Sequence, residues 1–172
     1  VIAVGRGVRH IITGTAVLLG ACLPAAAHAA CPQELAVYSQ PHGDAAIDFR
    51  PAMRGGAEMA AFRLLLGQGI VLDGSVIRHE QAGGRSYGLV AQDCPHGDAT
   101  GAELDACIIW QGALYGVDDK GEIGPLPSRG KPAAERLLLA DLGPAVGNSR
   151  LYAEGGLDRL PWDVFQLSGC QE

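Results

Sequence analysis

The stretch KPAAERLLLADLGP, residues 131–144, decides how the fold is read. Pro132 stands where the first turn of a helix tolerates proline, and Ala133 to Leu142 is rich in good helix formers. Leu138 and Leu142 fall four apart with Leu139 beside them, and Gly143-Pro144 is a stop signal. The pattern predicts one helix near residues 132–142.

Working outward from it, the chain speaks of strands. Ile70 to His79 is rich in β-branched residues, with a bulge expected at Gly74. The turn Gln81-Ala82-Gly83-Gly84 and the run Ser86 to Gln92 complete a hairpin. Cys107 to Gly116 reads as a buried central strand, and Asp118-Asp119-Lys120-Gly121 turns it back into Glu122 to Leu126. Leu35 to Ser39, Ala45 to Phe49 and Trp162 to Leu167 are shorter strand candidates. Ala57 to Leu66 reads both ways: Met59, Phe62 and Leu66 fit a helical stripe, whereas Phe62, Leu64 and Leu66 fit a strand face. Together these predict an α+β fold, mainly antiparallel β, with the single helix near residues 132–142.

Residues 1–29 have the order of an export signal. Arg6, Arg9 and His10 precede an apolar run, Ile11 to Leu23; Pro24 breaks it, and Ala27-His28-Ala29 offers the small residues a signal peptidase inspects. Cleavage is expected after Ala29 or one residue later, leaving residues 30–172 as one globular exported domain. A retained anchor is disfavoured, because the run falls short of the ~20 residues that span a bilayer. Leu19-Gly20-Ala21-Cys22 offers another route, since it resembles a lipobox whose cysteine would carry a lipid anchor. Either route gives a periplasmic or secreted protein. Eleven arginines against two lysines, with abundant Ala and Gly, suggest a GC-rich bacterial genome.

The net charge is −6 with histidine neutral, and it becomes −8 when a leader carrying two arginines and no acid is removed. An acidic surface repels phosphate backbones, so nucleic acid is disfavoured as a partner. Four cysteines follow the leader: Cys31, Cys94, Cys107 and Cys170. An even number in an exported chain implies two disulfides. Cys94–Cys107 with Cys31–Cys170 is the preferred pairing: one closes the loop between two strands, the other joins the ends of the domain. Cys31–Cys94 with Cys107–Cys170 is the alternative. The spacing does not suit thiolate zinc ligation, which favours C-x-x-C pairs.

The pentapeptide PHGDA occurs twice, at 41–45 and 95–99. His42, Asp44, His96 and Asp98 would supply two imidazoles and two carboxylates, a full ligand set for zinc or another first-row divalent metal. The competing account is turn chemistry. Gln40-Pro41-His42-Gly43 has proline and glycine where a type I turn prefers them. The second copy leads into Thr100-Gly101-Ala102-Glu103, a capping box that starts a helical turn. The differing contexts favour turns, and the expectation is of no cofactor, with a metal at the PHGDA pair as the alternative.

Other constellations are weaker. Asp93, Asp98, Glu103 and Asp105 form an acidic loop without the spacing of an EF-hand. His79 reads as a surface strand residue, Asp118-Asp119 as solvated turn residues, and Trp110 and Trp162 as core. There is no G-x-G-x-x-G or P-loop. These readings point to a non-catalytic periplasmic binding or structural module, whose partner is a protein, an envelope component or a small ligand. A metal-binding protein or metal-dependent hydrolase built on the PHGDA pair is the alternative. No catalytic residue is nominated, although an enzyme using His79 with a carboxylate is a third possibility.

Overall fold

The computed structural model describes residues 1–3, 30–51, 58–79, 84–95, 97–98 and 100–171. The expected leader, including Cys22, therefore falls almost wholly outside the described residues. After a short 3-10 turn at Gln33–Leu35, the elements are β1 (Ala36–Ser39), β2 (Ala46–Arg50), β3 (Glu58–Leu66), β4 (Ile70–His79), β5 (Arg85–Ala91) and α1 (Gly101–Cys107). They continue with β6 (Ile108–Val117), β7 (Ile123–Pro125), β8 (Arg136–Leu139), α2 (Leu142–Gly147), α3 (Arg150–Ala153) and β9 (Val164–Cys170).

Every strand pairing is antiparallel, and β1–β5 pair in sequence order. β5 passes to β6, β6 to β8 and β8 to β9, and β9 pairs back onto β1. The sheet is thus a closed eight-stranded barrel, with β7 as an annex along β6 at Tyr115–Val117. Closure leaves no long unpaired edge for another chain to extend. The expected α+β fold with one helix near residues 132–142 is corrected to a β-barrel that carries, among the described residues, three short helices.

Alternation explains the closure. β2 buries Ile47 and Phe49, β3 buries Phe62 and Leu64, and β8 buries Leu137 and Leu139, each with outward neighbours between them. An eight-stranded barrel is just wide enough inside for side chains to fill. Here Tyr38, Phe49, Phe62, Trp110 and Phe165 occupy the centre with Ile47, Leu64, Leu72 and Leu114, none more than 2% exposed. Tyr38 meets Phe49 edge-on at 5.8 Å, and Phe49 leans on Phe62 at 5.7 Å. Gly74 and Gly88 make room for the rings of Phe62 and Trp110. A Cβ on Gly74 would lie 2.3 Å from the Phe62 ring, and one on Gly88 would lie 2.6 Å from Trp110. Gly74 sits in regular register, opposite Phe62 and Val90, so it marks ring packing and not the bulge expected there.

The helix expected at 132–142 is replaced by β8. Leu137 faces inward, Leu138 is half-buried and Leu139 faces inward again, a period of two. Helix propensity is local and weak, a few tenths of a kcal/mol per residue. Backbone pairing to both β6 and β9, plus burial of two leucines, outweighs it. Gly143-Pro144, read as a stop, lies instead in the first turn of α2, where proline lacks only an N–H that has no helical partner. The ambiguous segment before Leu66 is the strand β3.

α2 begins unusually. Asp141 precedes it at φ 61° and makes no side-chain cap. The Asp163 carboxylate reaches across instead, accepting from the amides of Asp141 and Gly143, both at 3.0 Å. Asp163→Ala should therefore cost about 1–2 kcal/mol, as loss of a helix cap does. Urea unfolding measures it, with Asp163→Asn recovering part of the loss; a cost within error of zero would reject the capping role.

Candidate functional site

The two disulfides are Cys31–Cys170, with Cα atoms 5.7 Å apart, and Cys94–Cys107, at 5.1 Å. This is the preferred pairing, and it ties up all four cysteines as staples. The bonds indicate an oxidising, extracytoplasmic environment. No helix among the described residues is long and apolar enough to cross a membrane.

The two PHGDA copies occupy different contexts. The first forms the β1–β2 hairpin turn, closed by the Gln40 amide on the Ala45 carbonyl at 3.0 Å; His42 and Asp44 are exposed on it. The second lies just after Cys94 and leads towards α1. Asp98 is exposed there, and His96 lies outside the described residues. No group of three or more His, Cys, Asp or Glu side chains suited to a metal occurs among the described residues. His79 is the last residue of β4.

The capping box at Thr100 is formed. Thr100 donates its amide and hydroxyl to the Glu103 carboxylate at 2.8 Å, and the Glu103 amide returns to the Thr100 hydroxyl at 3.3 Å. These bonds from Thr100 hold the Glu103 carboxyl below its ordinary 4.5. A depressed acid stabilises the fold above its unfolded pKa, and that contribution disappears as pH falls through the lowered value. Protection of the α1 amides, taken relative to their intrinsic exchange rates, should therefore fall on acidification below pH 4.5 and less so in Glu103→Gln. Equal pH responses in the two proteins would rule the account out.

Elsewhere the acids serve turns. Asp118 accepts from the Lys120 and Glu122 amides at 2.9 and 2.8 Å. Asp93 stands 4.0 Å from Arg150, which also donates to the Gln92 carbonyl. The Tyr38 phenol is pushed well above its normal pKa by burial, and it donates to the Ala134 carbonyl at 2.9 Å. It is a structural hydrogen-bond donor. Trp110 is core as expected, whereas Trp162 is corrected to the surface at 72% exposure, because only its backbone carbonyl is engaged, by Gln40.

An extensive concavity among the described residues lies on the outside of the barrel. Across β2–β6 the register sets Arg50 opposite Ala61, Ala61 opposite Ser75, Ser75 opposite Leu89 and Leu89 opposite Gln111. Small side chains at Ala61 and Ser75 lower the floor of this row. The flanking row on one side is Asp48, Arg63, Asp73 and Ala91. On the other side Ile77 opposes Tyr87, which opposes Ala113. The result is a furrow crossing the strands. One section, around Ile77, Tyr87 and Gln111, has a volume of about 600 Å³. The next, around Arg50, Arg63 and Asp73, has about 460 Å³, and both contain Ser75 and Leu89. Ile77 and Tyr87 are 36% and 37% exposed.

A second groove, of about 500 Å³, is lined by Asp118, Asp119, Glu122 and Glu135 with three prolines. A cleft between Gln40, Gln68 and Asp158 has only about 90 Å³. Sequence reading nominated none of the furrow residues. Period-two alternation marks them as outward, but only cross-strand register lines them up.

The chain matches no family model, no curated protein and no solved structure. Function has to be read from the surface itself.

Proposed function

We propose that this chain is a non-catalytic binding module of a bacterial periplasm or secreted space, holding a partner against the outer face of β3–β6. The furrow carries the reading. Its volume is in the range of binding sites, and it lies on a barrel whose interior is already filled by side chains. Its lining of tyrosine, isoleucine, leucine, arginine and glutamine matches the residue classes of recognition surfaces, where aromatic and arginine side chains anchor partners. The disulfide staples support an exported setting.

The test is retention of envelope proteins by the immobilised, oxidised domain beside Tyr87→Glu and Ile77→Glu. Both positions are partly exposed, so the variants should keep the native circular dichroism spectrum. A partner held by the parent should be lost from both. A partner held equally by all three proteins would move the binding face elsewhere.

A further inference from the structure

We infer that the occupant of the furrow is an extended acidic peptide segment of about six residues, lying across the strands. The inference rests on the binding-module reading and adds the ligand's length and charge. The row from Arg50 to Gln111 spans four interstrand steps. At about 4.8 Å per step this is ~19 Å, the reach of roughly six extended residues at ~3.3 Å each.

The charge comes from inversion of the local balance. Acids outnumber bases 19 to 13 in the chain. Around the furrow stand instead three arginines, Arg50, Arg63 and Arg85, against two acids, Asp73 and the Asp48 of the flanking row. Arg50 and Arg85 are exposed, one in each section. Arg63 has a side chain 37% exposed, and its Nη2 stands 3.6 Å from Asp48. The exposed part of such a guanidinium can donate to a second carboxylate. The exposed pair Ile77–Tyr87 forms an apolar wall that would seat an apolar side chain between the acids.

The bulk charge makes the expectation non-trivial, because a net acidic protein should otherwise gather basic peptides. The experiment selects phage-displayed random dodecapeptides on the immobilised oxidised protein, in parallel with Arg50→Ala/Arg85→Ala and Tyr87→Glu. The expected pool is enriched in Asp and Glu around an apolar residue. Synthetic peptides from it should bind the double-arginine variant about tenfold more weakly. Their binding should also fall away in ~1 M salt, where screening acts within ~3 Å. An acidic pool held equally by the double-arginine variant, or no pool above background, overturns the inference. A basic or neutral pool lost on Tyr87→Glu overturns the acidic chemistry while leaving the furrow as the binding face. Failure of the face itself is read separately, from the envelope-protein retention experiment.

Discussion

Trp110→Ala should remove about 3–5 kcal/mol of stability, the usual cost of truncating a large buried aromatic. The side chain is 2% exposed, and its ring covers Gly88 and Gly112, which have no side chains with which to refill the space. Its indole N–H donates to the Ala140 carbonyl at 2.8 Å, so β6 and the end of β8 also lose a tie. Domains of this size have a total of ~5–15 kcal/mol, so the variant should sit close to unfolding at ambient temperature. Equilibrium urea denaturation at unchanged m-value measures the loss. Trp110→Phe should lose less, since it keeps a ring over Gly88 but gives up the hydrogen bond. A cost below about 1 kcal/mol for alanine would mean the barrel collapses onto the void, contrary to the packing described.

Replacing Cys31 and Cys170 together by serine should cost on the order of 4–5 kcal/mol by loop-closure entropy, because this bond joins residues 139 apart. The bond over 13 residues, Cys94–Cys107, should give about 3 kcal/mol on the same account. The larger bond lies at the β1–β9 seam, where Ala36 pairs with Cys170, so it locks the junction that completes the ring. Thermal and urea unfolding of the two double variants should preserve this order. If the short-loop variant proves the weaker protein, native packing around α1 matters more than chain entropy.

The parts of the fold legible in sequence are those decided by short-range chemistry. The β4–β5 hairpin announces itself through β-branched residues and a glycine-rich turn, and the capping box at Thr100 needs only residues 100–103. The disulfides follow from cysteine number and from which elements they could join. β8 was not legible, because RLLL is an adequate helix former and its strand state is imposed by β6 and β9, neither of which is local. Barrel closure was hidden for the same reason: β1 and β9 meet from opposite ends of the domain. The candidate site was the least legible. Ala61, Ser75, Leu89 and Gln111 are unremarkable one by one, and become a surface only when the register brings them into a row.

The arrangement of the cystines also bears on how the molecule is made. Cys31–Cys170 encloses Cys94–Cys107, so the pairs are nested. Were the chain to cross a membrane N-terminus first, Cys31 and then Cys94 would emerge long before Cys170. An oxidant joining thiols in order of appearance makes Cys31–Cys94, a bond that must be undone before the ring can shut. Uncatalysed thiol–disulfide reshuffling takes minutes to hours. Recovery of native protein should therefore depend on a disulfide isomerase more than on the supply of oxidant, and a host lacking one should accumulate the misbridged chain.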